Sequence, residues 1–165
     1  MKVFEQDGRA VPVYSDKHLS YSFRKAQRMI SDSKRLGFPM LAGSSLPVTW
    51  RLPDVELPLG CHIEEAVMVG ENGTDDAMDF HALEAMQCML ERRRGGETGV
   101  RAVQWVEGEA VWHQGWSKDL LVAALSRSDT PLGPTVKDGR TQNLVASGEL
   151  KELVKNPVAY AIEYR

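Results

Sequence analysis

His81 is the residue best suited to chemistry in this 165-residue sequence. An imidazole trades protons near neutral pH, and this one stands where a helix is predicted to begin. As a general acid or base it needs a neighbour to set its tautomer, and Asp79 and Glu84 are the carboxylates nearest in sequence. A metal is the competing chemistry. His81, Glu84 and Cys88 follow one another at spacings of three and four, along one helical face. His62 and Glu64 put two more donors on one side of a predicted strand. A divalent ion held by such a set would activate water, making the chain a small hydrolase of esters or phosphoesters. Neither HExxH nor paired CxxC occurs, and the plain alternative for these residues is a polar helix face beside half-exposed sheet positions.

The element that must position His81 is the stretch Asp79–Trp105. Phe80, Leu83, Met86 and Leu90 line one face of a helix. Asp76 and Asp79 complement its positive end, Arg92, Arg93 and Arg94 its negative end, and Gly95 is the expected left-handed stop. The arginines with the following GGETG could instead form an anion nest. Val100–Val106 is β-branched and aromatic, a strand, and Glu107-Gly108 predicts a tight reversal into Glu109–His113 as a hairpin. Trp50, Trp105, Trp112 and Trp116 are either a sugar-stacking set or, as their types more often imply, core and interface packing.

Upstream, Ala10–Tyr14 predicts a short strand and Ser15–Leu19 the loop leaving it. Ser20 or Ser22 caps a helix whose Phe23, Ala26, Ile30 and Ser33 share a face. Gly37 closes that helix, and Phe38–Gly43 is a second strand. Strand, helix, strand is a βαβ unit with parallel, buried strands, a fragment of a doubly wound sheet. Residues 44–60, with Pro47, Pro53 and Pro58, are a stiffened crossing segment. His62–Val69 predicts a strand, Glu71–Asp76 a turn, Trp116–Arg127 a helix, Ser126–Arg140 a loop and Gly148–Lys155 a short helix. Val158–Arg165 alternates as a strand.

Composition limits the classes. Hydrophobic content of 42% with 26% charged residues is that of a globular α/β protein, and a net charge of −3 without a basic face gives no reason to expect nucleic acid. Unpaired Cys61 and Cys88 fit a reducing cytoplasm. No apolar run approaches the roughly 20 residues a membrane span needs.

Two stretches resemble the glucose–fructose oxidoreductase/inositol dehydrogenase (Gfo/Idh) family. GRAVPVYSDKHLSYSFRKAQRMISDSKRLGFPMLAGSSLPV resembles that family's strand, Glu-Lys-Pro loop, helix, glycine, strand and following loop, with Asp16-Lys17-His18 departing at two of three loop positions. DFHALEAMQCMLE resembles its Asp-x-x-x-His helix start, with Asp79 two residues nearer to His81 than the pattern has it. The resemblance implies that Lys17 lies beside nicotinamide and substrate. It also implies that His81, ahead of Asp79, handles the substrate hydroxyl proton. The implied organisation is a truncated Rossmann-like remnant over 1–46 and a substrate domain over 47–165, an open, mostly antiparallel sheet with helices on one face. The family's GxGxxG turn is missing, so NAD(P) is expected only in a complete enzyme, hydride transfer is not expected of this chain alone, and strands are expected to be missing at the chain's own end. The expected partners are a small-molecule ligand, a carbohydrate or polyol, and a second copy joined through the sheet face or edge.

Overall fold

The structure, a computed structural model, describes residues 2–70, 76–127, 136–137, 140–141 and 143–165. In chain order the elements are α1 (Lys2–Asp7), β1 (Val13–Ser15), α2 (Phe23–Leu36), β2 (Met40–Ala42), a 3-10 turn (Leu46–Val48), α3 (Asp76–Leu90), β3 (Val100–Glu107), a second 3-10 turn (Gly108–His113), α4 (Lys118–Leu125), β4 (Val136–Lys137), β5 (Arg140–Thr141), α5 (Leu144–Ser147), α6 (Glu149–Leu153) and β6 (Val158–Tyr164). The chain is a mixed α/β protein with one parallel and two antiparallel pairs of strands. The residues expected to form a turn at 71–75 and the middle of the expected loop at 128–135 lie outside the described set. Among the described residues no helix is long and apolar enough to cross a membrane.

The βαβ expectation holds in outline. Ser22 caps α2 by accepting from the Lys25 N–H, and Gly37, at φ 69°, ends it. β1 and β2 run parallel, Val13 opposite Met40 and Ser15 opposite Ala42. The expected burial does not hold. Tyr14 and Leu41 are exposed, and on α2 Ser33 is buried while Phe23 stays 77% exposed. A helix of 14 residues is about 21 Å long. Two three-residue strands are too small a surface to bury it, so Ala26 and Met29 are only half-buried and full burial is reached only at Ser33, near its C-terminal end. Phe38 packs edge-on against Phe4 of α1, ring centroids 5.2 Å apart.

Three other expectations are corrected. His62–Val69 is irregular rather than a strand: pairing stops after Cys61, whose carbonyl accepts from the Arg94 N–H at 2.8 Å while Gly60 N–H donates to Arg92 at 2.7 Å. That same pairing pulls Arg92–Arg94 out of the helix, so α3 ends at Leu90 and Gly95 is not its stop. Glu109–His113 is a 3-10 turn, not the return strand of a hairpin. β3 takes the alternating β6 as its antiparallel partner instead, Trp105 opposite Tyr160 and Val103 opposite Ile162, with an irregularity at Arg101. Gly108, at φ 60°, leaves the ladder by donating to Pro157 at 2.8 Å. The open sheet expected here is, among the described residues, a two-stranded ladder.

The helix expected at Gly148–Lys155 is α6, Glu149–Leu153, and a further short helix, α5, precedes it and meets it at Gly148 with φ 77°. Leu125, Leu144 and Leu150 form a small core with Trp112 and Leu121 packed on it. Leu120, on the same helix as Leu121, is 37% exposed and lines a groove. Trp105 is 49% exposed and Trp50 almost wholly so.

Candidate functional site

In a parallel βαβ arrangement, the chain leaves each strand at its carboxyl end, and ligands are taken in the crevice there. Here those ends carry the loop Asp16–Lys17 after β1 and Gly43-Ser44 after β2. α3 brings two of its residues to the same place.

Glu84 meets the β2 loop directly. Its Oε2 accepts the Ser44 backbone N–H at 3.1 Å, across 40 residues of sequence. The approach requires glycine at 43, because a Cβ there would lie 2.7 Å from Oε2, and its φ of 135° is unfavourable to any other side chain. Glu84 is also near enough to Tyr14 on β1 to add to the rise of its phenol pKa, which follows from partial desolvation and from the Asp16 charge and hydrogen bond.

The β1 loop is held by its own charges. Lys17 Nζ donates to Asp16 Oδ2 at 3.0 Å and to the Asp16 carbonyl at 3.2 Å, and Tyr14 donates to Asp16 Oδ1 at 3.4 Å. The Lys17 hydrogen bond and charge hold the Asp16 carboxyl below its ordinary value, Tyr14 adds to this, and His81 contributes from across the site whenever it carries a proton. His81 is therefore within electrostatic reach of the Asp16–Lys17 loop. It is half-buried beside Phe80, and the Phe80 ring in turn meets His18 edge-on at 5.6 Å.

The tautomer partners expected for His81 are engaged elsewhere. Asp79 Oδ2 accepts the Tyr160 hydroxyl at 2.6 Å, tying α3 to β6, and Glu84 is committed to Ser44. His81 Nδ1 is buried with no hydrogen-bond partner. A ligand would therefore meet the imidazole through Nε2.

The potential metal donors do not come together. Among the described residues no group of three His, Cys, Asp or Glu side chains is placed to hold an ion. Cys88, His62 and Glu64 line a groove of about 1050 Å³ between the 46–68 segment and α3, and His81 and Glu84 are not among its lining residues. In that groove Arg51 donates to Cys88 Sγ at 3.3 Å and to Glu56 at 3.0 Å. His62 and Glu64 form an exposed pair, 3.6 Å apart.

Tyr14, Asp16, Gly43 and Ser44 were not singled out by residue type. The usable signal for them was positional: each lies on, or directly after, a strand of a predicted parallel pair. No family model, curated protein or solved structure matches the chain.

Proposed function

We propose that this chain is the substrate-binding part of a Gfo/Idh-like oxidoreductase, taking a carbohydrate or polyol at the carboxyl ends of β1 and β2. In this reading residues 1–46 are a truncated Rossmann-like remnant and 47–165 the substrate domain. The supporting observation is the approach of α3, carrying His81 and Glu84, to the Asp16–Lys17 loop. Those residue types suit a polyhydroxylated ligand: an imidazole nitrogen to accept or return a hydroxyl proton, and carboxylates and an ammonium to orient the neighbouring hydroxyls. His81 Nε2 exchanges the proton with the substrate hydroxyl. Lys17, released from Asp16 on binding, donates to a substrate oxygen. Asp79 takes no direct part and positions α3 through Tyr160.

The residues present do not fit a dinucleotide pyrophosphate. The N-terminus of α2 has no glycine turn before it, and Ser22 already takes the Lys25 N–H that a phosphate would use. Hydride transfer is accordingly not assigned to this chain. A metal-assisted hydrolase gains no support, because its donors divide between two places.

Titration calorimetry of the full chain with myo-inositol and D-glucose tests the reading. Binding is expected for at least one of them, weakened about tenfold or more by His81→Ala or Lys17→Ala with the circular dichroism unchanged. Binding of neither sugar, or affinities indifferent to both substitutions, would refute it.

A further inference from the structure

We infer that the preferred ligand of this site carries a positive charge beside its hydroxyls. The class is an amino sugar or amino-polyol, ahead of a neutral polyol and well ahead of a sugar acid, and Glu84 is the residue that reads the ammonium. The inference rests on the polyol reading above and adds the charge of the ligand.

The observation is an imbalance of charge at the strand ends. Asp16 and Glu84 are two carboxylates, and Lys17 is the one ammonium that the described hydrogen bonds bring to them. Lys17 is bonded to Asp16 through both a side-chain and a backbone oxygen. Glu84 is half-buried on α3 and is bonded only to a backbone amide, through Oε2. Among the described residues no cation pairs with it, and its Oε1 makes no hydrogen bond. With the histidines neutral the cluster is left negative.

A partly desolvated carboxylate with an open oxygen discriminates among ligands by charge. A hydroxyl satisfies it with an ordinary hydrogen bond, an ammonium with a charge-assisted one, and a ligand carboxylate meets repulsion. Glu84 stands three residues after His81, on the same side of α3. One face of the helix thus presents a nitrogen for a hydroxyl and an oxygen for a nearby ammonium, the pattern of an amino alcohol on a sugar ring. Gly43 makes the arrangement possible, because only a residue without a Cβ lets the end of β2 lie against the carboxylate.

Calorimetry with D-glucosamine, D-glucose and D-glucuronate on the full chain provides the test. For the unsubstituted protein glucosamine should bind roughly tenfold tighter than glucose, with glucuronate weakest. The advantage of glucosamine should shrink as salt is raised. Glu84→Gln keeps an oxygen for the Ser44 N–H and should bring the glucosamine-to-glucose ratio down to about one. Gly43→Ala keeps the charge but displaces it, and should erode the same ratio. Glucuronate binding as tightly as glucosamine, or a ratio untouched by Glu84→Gln in a folded protein, would overturn the inference. Glucose binding with no preference for the ammonium would sink this inference alone, whereas failure of all three sugars would remove the polyol reading along with it.

Discussion

At the residue scale, the arrangement turns on which charges are already spoken for. Asp16 is the most heavily engaged group of the cluster, with Lys17 and Tyr14 bonded to it and His81 within electrostatic reach. Its pKa in the folded protein lies below the unfolded value. Whatever the pair with Lys17 contributes is therefore present above the unfolded pKa and is lost as pH falls through the lower folded one. The pair is exposed, so its mark is on titration more than on stability. A carbon-detected NMR titration of the Asp16 carboxyl should show a midpoint below that of an ordinary aspartate, moving up in Lys17→Ala. A midpoint that ignores Lys17→Ala would mean the ammonium is not where this structure has it.

At the scale of elements, α3 is what connects the parallel pair to the antiparallel ladder. On its flank toward β6, Asp79 and Gln87 accept the hydroxyls of Tyr160 and Tyr164, each at 2.6 Å. Eight residues of helix and four of strand both span about 12–13 Å, so the two bonds are in register. Arg93 lies over the Tyr164 ring at 4.4 Å and fastens the end of the helix. Tyr160→Phe should therefore cost about 0.5–1.5 kcal/mol in denaturant unfolding. By loosening α3 it should also weaken polyol binding, although Tyr160 is remote from the ligand in this account. Full stability and full binding in Tyr160→Phe would show that this tie does not position His81.

These ties also explain what the sequence disclosed. The strand–helix–strand order, the Ser22 cap, the Gly37 stop and the existence of α3 are local matters, set by periodicity and by glycine, and they were readable. The choice of β6 over residues 109–113 as the partner of β3 is a contest between segments far apart, and the Glu107-Gly108 dipeptide pointed to the nearer one. Arg92–Arg94 read as a helix end because backbone pairing with Gly60 and Cys61 has no signature in residue types. For the proposed site, His81 and Lys17 are candidates from their chemistry and from resemblance. The place of Glu84 could not be read, because it depends on a single long-range contact with Ser44, nor could the bond of Asp79 to a tyrosine 81 residues away.

For the whole molecule, the unsettled surface is the β3–β6 ladder. No large side chain is fully buried among the described residues, and on β3 Val103 and Trp105 stand 59% and 49% exposed, while their partners Ile162 and Tyr160 on β6 are half-buried, Tyr160 against α3. An apolar strip on a two-stranded ladder with open edges favours a second copy as its cover. Sedimentation of the full chain should show a concentration-dependent dimer that Val103→Glu with Trp105→Glu returns to monomer. A monomer at all concentrations would assign that face to something other than self-association.

The central claim is that the Asp16–Lys17 loop, Gly43-Ser44 and the His81–Glu84 turn of α3 make one ligand site. Amide chemical-shift mapping of the full chain during titration with D-glucosamine tests it most directly. The account predicts shifts concentrated at residues 14–17, 43–44 and 80–84. Shifts concentrated instead in the groove around Arg51, His62 and Cys88, or no saturable shifts at all, would contradict it.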